Sequence, residues 1–123
     1  MGKTETAIER ARRALRLSPF DSLNYLSYQA LAGAHFHLRR YQEARDAARR
    51  AVESNPGFSV PHAYLAAALM RLGCVEEAKA AALQVLALDS TFTIRRFSVT
   101  VGLVPAVFTP FADAWRESGL PDE

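Results

Sequence analysis

Small and apolar side chains return every three or four residues along most of the chain, which is the period of an α-helix with one buried face. Proline, glycine and short polar clusters interrupt this pattern, most clearly at Ser18-Pro19 and at Asn55-Pro56-Gly57. The pattern predicts five helices within residues 1–90, which end before Ser18 and near residues 39, 54, 72 and 88.

Side chains that cap helices precede three of these segments. We expect Thr4 or Thr6 to cap the first helix, Asp21 or Ser22 to cap the second, and Ser59 to cap the fourth. A hydroxyl or carboxylate at such a position can accept a hydrogen bond from a free N–H group in the first turn of its helix.

The C-terminal part of the chain has a different pattern. A sixth helix can begin near residue 92 and should stop in the β-branched run that ends at Gly102. Pro105 can open a last helix that reaches Ser118, and Pro110 should either kink this helix or mark a later start. An apolar stripe on it is expected to cap the domain by packing on the fifth and sixth helices: Phe108, Phe111, Ala114, Trp115 and Leu120. Partner binding by Trp115 is the alternative.

One template of small residues followed by an end marker occurs three times. Its members are Ala7, Ala11, Ala14 and Pro19, then Ala44, Ala48, Ala51 and Pro56, then Ala78, Ala82, Val85 and Ser90. The end markers are 37 and 34 residues apart, which is the length of a helix-turn-helix repeat. Small side chains allow close helix packing, so we expect Ala32 and Ala66 to face Ala44 and Ala78 within each helix pair.

This template resembles the tetratricopeptide repeat (TPR) family. Residues 25–58 match it with Tyr28, Leu31-Ala32, His35-Phe36, Tyr41, Ala44, Ala48, Ala51 and Pro56, and residues 59–92 match it with His62, Leu65-Ala66, Leu69, Gly73, Ala78, Ala82, Val85 and Ser90. The resemblance implies an all-α fold, a right-handed α-solenoid of about two and a half helix-turn-helix units with a C-terminal capping helix.

These segments define a single domain over residues 1–123. Residues 1–19 form a half repeat with only a second helix, residues 22–56 and 59–90 form two repeats, and residues 91–121 form a partial repeat with the capping helix. A second helix without its first partner exposes an apolar flank. We therefore expect this chain to be a fragment of a longer protein, and the flank to offer a site for a homodimer.

Charge is distributed unevenly along the chain. Residues 1–58 hold ten Lys and Arg against six acidic residues, although the net charge of the whole chain is only +2. This basic half can attract nucleic acid or an acidic surface. We prefer a solvated helix surface whose arginines pair with Glu9, Glu43, Asp46 and Glu53, because no aromatic stacking platform accompanies the charge.

The sequence predicts no catalytic residue, no metal site and no cofactor. Cys74 is the only cysteine and has no histidine near it in sequence. His35 and His37 are two residues apart, which places them about 200° apart around a helix, so they cannot share a metal. The single cysteine, and the lack of a signal peptide or an apolar span, predict a cytoplasmic protein with no membrane contact.

In the TPR family the first helix of each pair lines a concave face, and the resemblance places the partner-binding groove there. Its residues in this chain are Leu26, Gln29, Gly33, Phe36, His37, Val60, Ala63, Tyr64, Ala67, Met70 and Arg71. The set is mostly apolar, and only Arg71 is suited to a carboxylate. We therefore expect the partner to be an apolar segment of a protein, including another domain of the same chain, or an amphipathic helix.

Two short segments carry a narrower resemblance. Leu17-Ser18-Pro19-Phe20-Asp21-Ser22 and Ser118-Gly119-Leu120-Pro121 resemble the C-terminal TPR region of bacterial class III adenylate/guanylate cyclases, with Ser22 and Ser118 as departures from the usual pattern. This resemblance implies a signalling enzyme whose catalytic domain lies upstream. The function predicted for this chain is a non-catalytic regulatory scaffold, and nucleic-acid or acidic-surface binding is the alternative.

Overall fold

The computed structural model describes residues 2–101 and 105–123. These residues form seven α-helices and contain no β-strand. The helices are α1 (Lys3–Leu17), α2 (Asn24–His37), α3 (Tyr41–Ser54), α4 (Ser59–Arg71), α5 (Val75–Leu88), α6 (Ile94–Val101) and α7 (Pro105–Ser118). None of them has the length and apolar character needed to cross a membrane. The predicted all-α fold is therefore confirmed.

Consecutive helices pack on one another as in a helical solenoid. The pairs α2/α3 and α4/α5 are helical hairpins, α3 also packs on α4, and α1 packs on α2. The repeated small residues form the buried faces of the second helices: Ala44, Ala48 and Ala51 in α3, and Ala78, Ala82 and Val85 in α5. The template found in the sequence is thus the packing surface of each hairpin.

The predicted alanine contacts are partly visible in the core. Ala66 and Ala78 lie in one buried cluster, as expected for a crossing point between α4 and α5. Ala32 and Ala44 are also buried, but they belong to two different clusters. Their direct contact stays a prediction.

The helix starts differ from the predicted caps. Thr4 lies inside α1, and the hydroxyl of Thr6 donates to a carbonyl four residues earlier. Asp21 lies in the turn before α2, where its carboxylate accepts from the N–H two residues later, at 2.8 Å. Ser59 is already the first residue of α4, and no side chain caps that helix. These cap predictions were wrong, because the hydroxyl of Thr6 bonds back to the Gly2 carbonyl from within α1 and the carboxylate of Asp21 closes the turn before α2.

Three helices end in the left-handed backbone conformation. The residues are Arg39 after α2, Gly73 after α4 and Gly119 after α7, with φ of 62°, 80° and 106°. In each case the N–H of the next residue donates to the carbonyl five residues earlier, at 2.8 to 2.9 Å. This is the Schellman arrangement, which satisfies carbonyl groups that the helix end leaves free.

Helix α7 begins at Pro105, so the alternative start at Pro110 is wrong. Proline is well suited to the first turn of a helix, because the N–H that it lacks would have no hydrogen-bond partner within the helix there. Pro110 lies inside the helix. The predicted end of the sixth helix at Gly102 lies outside the described residues.

The position of α7 corrects the sequence prediction. It contacts α5 and α6 as expected, but it packs most extensively on α4, along the face that the first helices share. Trp115 is completely buried, and its indole N–H donates to the carbonyl of Ala63 at 2.8 Å. The alternative in which Trp115 binds a partner is therefore wrong. The rings of Phe36 and Tyr64 pack on Phe111 of α7, which holds the helix against α2 and α4.

Candidate protein-interaction site

The eleven residues predicted for the groove divide into two groups. One group lies in the core around α7: Phe36, Val60, Ala63, Ala67 and Met70, together with Arg71 at its edge. The other group lines an open cleft: Leu26, Gln29, Gly33, His37 and Tyr64. Both groups thus lie on the α2 and α4 side of the solenoid, which we call the concave face, and α7 covers one part of it.

Aromatic contacts fix α7 in its part of the concave face. The rings of Phe36 and Phe111 stack with their centroids 4.0 Å apart, and Tyr64 meets Phe111 edge-on at 5.3 Å. Phe36 is only 2% exposed as a result. The solenoid therefore already holds an amphipathic helix in this stretch of the concave face, and that helix comes from its own chain.

Arg71 also has a partner within the chain. Its guanidinium lies 2.7 Å from the carboxylate of Glu117 on α7. Because a charge-assisted hydrogen bond of this length satisfies the cation, Arg71 is engaged by α7.

The open part of the concave face is a cleft of about 410 Å³ between α1, α2 and α7. A second cleft of about 400 Å³ follows between α1 and α2 and shares Ala7, Leu26 and Ala30 with the first. We call the two together the N-terminal groove. Its lining consists of Lys3, Thr4, Ala7, Arg10, Ala11, Ala14, Leu26, Ser27, Gln29, Ala30, Gly33, Ala34, His37, Tyr64 and Phe111.

The lining of the N-terminal groove is mostly apolar and open to solvent. Leu26 is 47% exposed, and Ala7, Ala14 and Ala30 are exposed as well. The side-chain oxygen of Gln29 is buried without a hydrogen-bond partner among the described residues. An incoming group with a donor could satisfy this oxygen, while apolar side chains would cover the remaining surface.

The basic N-terminal half is only partly neutralised. Arg16 pairs with Glu9 and Arg45 with Asp46, as predicted, and both pairs are exposed. Two further pairs link different helices, between Arg40 and Glu5 and between Arg49 and Glu77. The predicted pairing of Glu43 and Glu53 is absent from the ion pairs of the described residues. Within the same part of the chain, no ion pair engages Lys3, Arg10 or Arg13.

The residues that could support chemistry are dispersed. No group of three His, Cys, Asp or Glu residues in the described part of the chain is placed to hold a metal ion. His35 is buried, its Nδ1 has no partner among the described residues, and burial lowers its pKa below the usual 6.5. Burial also raises the pKa of Tyr64 to about 12, so its hydroxyl stays neutral at physiological pH.

The family comparison agrees with the hairpin geometry. The tetratricopeptide repeat model matches residues 25–58, which cover α2, α3 and the turns beside them. Residues 25–58 are thus similar to a tetratricopeptide repeat. Repeats of this family generally mediate protein–protein interaction. A search among curated proteins found no match to the chain.

Sequence reasoning missed that α7 fills part of the concave face. The signal was present, because the groove residues predicted on α2 and α4 are mostly apolar and the stripe on α7 is rich in aromatic side chains. Two apolar surfaces of one chain gain free energy when they bury each other. For the small residues of α1 that line the N-terminal groove, the sequence predicts only an exposed apolar flank.

Proposed function

We propose that this chain is a non-catalytic interaction module that binds a protein or peptide segment in the N-terminal groove. One observation carries the proposal: α7 covers part of the α2 and α4 side of the solenoid, and beside it the N-terminal groove is apolar and open. Exposed contiguous apolar surface of this kind is typical of interaction sites. The residues Leu26, Gln29, Gly33, His37 and Tyr64 would contact the partner.

Site-specific photo-crosslinking tests this proposal. A photoreactive amino acid replaces Leu26 in the groove, and as a matched control it replaces Leu83, an exposed leucine on α5. We expect a defined protein adduct from the Leu26 position in the native cell and none of the same mass from the Leu83 position. Equal adducts at both positions, or none at Leu26, would contradict a groove-specific function.

We further propose that the module regulates a nucleotide cyclase in the bacterial cytoplasm. The two short segments that resemble cyclase C-terminal regions support this assignment, and the helical TPR fold is compatible with it. The test compares cyclase activity of a full-length protein that carries this region with a variant in which Leu26→Arg blocks the groove. A change in basal or stimulated activity is expected, and identical activities would count against a regulatory role.

Two other assignments compete for the same surface. A homodimer would cover the exposed face of α1, and sedimentation velocity at high protein concentration would reveal it as a dimer. Nucleic-acid binding has weaker support, because four of the ten basic residues in the first half pair with carboxylates. It predicts a steep loss of affinity as salt concentration rises.

A further inference from the structure

The two complete hairpins show which surface of α1 is unusual. Ala7 on α1 corresponds to Ala44 on α3 and to Ala78 on α5, since the template repeats after 37 and 34 residues. Ala44 and Ala78 are buried, whereas Ala7 is exposed. Ala14 is likewise exposed, although its equivalents in α3 and α5 are completely buried. Among the described residues, no helix covers this surface of α1, whereas its equivalents on α3 and α5 are buried.

The same comparison indicates how a helix would lie on this surface of α1. In the complete hairpins, α3 packs on α2 through a buried cluster that contains Ala47, and α5 packs on α4 through one that contains Ala78 and Ala81. Each of these first helices runs antiparallel to the second because a short turn joins them. A helix that lies antiparallel to α1 would cover Ala7 and Ala14, and it would also cover Leu26 and Ala30 on α2.

The positive charge of the groove indicates that a helix bound there would carry acidic side chains. Arg10 occupies the position of two buried alanines, Ala47 in α3 and Ala81 in α5. A helix docked on α1 would therefore desolvate the guanidinium of Arg10, which is costly unless a carboxylate pairs with it. Lys3 also lines the groove, and the lining contains no Asp or Glu.

We propose that the N-terminal groove binds an acidic amphipathic helix of a partner protein. Its apolar face packs on the small residues Ala7, Ala14 and Ala30, and its carboxylates pair with Lys3 and Arg10. This inference rests on the proposed function, because it names the partner of the same groove.

A second copy of the chain fits the groove less well. An antiparallel pair of α1 helices would bring Arg10 of one copy close to Arg10 of the other. Helix α1 also carries five basic residues against two acidic ones. Like charges at such an interface oppose association.

The probes for the test are two synthetic peptides based on α2, which is the helix that covers the equivalent surface of α3. Both span residues 23–38. Tyr28 and His35 lie beside Ala47 in a cleft of the structure, so the corresponding peptide positions would lie near Arg10. The acidic peptide carries Tyr28→Glu and His35→Glu, and the basic peptide carries lysine at the same two positions.

Fluorescence anisotropy measures the binding of each labelled peptide to the whole chain. We expect the acidic peptide to bind about tenfold more tightly than the basic one at low salt, with the difference shrinking as salt screens the charges. The Lys3→Glu/Arg10→Glu double variant should reverse this preference. The matched control is Arg50→Glu/Lys79→Glu, which changes the net charge equally but lies on α3 and α5, outside the groove, and should keep the wild-type preference.

Three outcomes would overturn the inference. They are equal affinity for the two peptides, an unchanged preference in the Lys3→Glu/Arg10→Glu variant, and a stable dimer of the chain that excludes the acidic peptide. Loss of peptide preference together with groove-specific crosslinks at Leu26 would reject the acidic helix but leave the proposed function standing. Absence of such crosslinks would reject the proposed function itself.

Discussion

At the scale of single residues, Arg39 shows where the two repeats differ in backbone strain. It ends α2 in the left-handed conformation with φ of 62°, whereas its equivalent after α4 is Gly73. A side chain in this conformation costs about 1 kcal/mol, which glycine avoids. We expect Arg39→Gly to raise the free energy of unfolding by about 1 kcal/mol, measured by urea denaturation.

Two variants control for the charge and size of the removed side chain. Arg39→Ala removes the guanidinium but keeps the strained backbone, so it should give no comparable gain. Gly73→Ala should destabilise the protein, although a Cβ atom there meets nothing within 4 Å. A gain from Arg39→Ala as large as that from Arg39→Gly would show that the side chain, and not the backbone, sets the effect.

His35 gives the fold a dependence on pH. It is 4% exposed, and burial lowers its pKa, so the folded state holds it neutral while the unfolded chain takes up a proton near pH 6.5. The charged groups that act on it are Glu43, Arg12, Arg40 and Glu5. Its contribution is complete above pH 6.5, and stability should fall as the pH decreases from about 6.5 towards 5.

The variant His35→Leu tests this dependence, because Leu69 occupies the equivalent buried position in the next repeat. We expect the free energy of unfolding of His35→Leu to vary less between pH 7 and pH 5 than that of the wild type. Urea denaturation at both pH values measures the difference. Parallel pH profiles for the two proteins would exclude His35 as the source.

At the scale of helices, Ala7, Ala44 and Ala78 occupy the same position of the repeated template, so the effect of one substitution can be compared at all three. Ala44→Leu or Ala78→Leu forces extra methylene groups into a closed hairpin interface, which should lower the free energy of unfolding by about 1 to 3 kcal/mol. Ala7→Leu places the same side chain on the exposed face of α1 and should cost much less. Thermal or urea denaturation of the three variants measures the contrast, and equal losses in all three would contradict the hairpin assignment.

The helices and the repeat could be predicted from the sequence because local rules determine them. The end of α5 at Leu88 agrees with the prediction, and the small residues of α3 and α5 are buried. The caps and the position of α7 could not be read in the same way. Whether Asp21 caps α2 or closes the turn before it depends on a shift of one or two residues in where the helix begins. The docking of α7 depends on contacts between segments far apart in sequence.

At the scale of the whole molecule, α7 joins the two hairpins into one packed unit. Its aromatic residues form one buried cluster with Phe36 of α2, Ala63 of α4 and Val85 of α5. Because α7 contributes Trp115 and Phe111 to this cluster, it is part of the core and not a mobile lid over it. The part of the concave face under α7 is therefore structural, and the partner that we propose would bind beside it, in the N-terminal groove.

The integral role of α7 can be tested through Trp115, the only tryptophan in the chain. Its fluorescence reports the docking of α7, whereas circular dichroism reports all the helices. Since its ring is fully buried and bonded to Ala63, we expect the two signals to change at the same urea concentration, as in a two-state transition. Phe36→Leu removes the stack with Phe111 and should move both transitions together to lower urea. If the fluorescence change preceded the loss of helicity, α7 would be a separable element, and the part of the concave face beneath it would become available to partners.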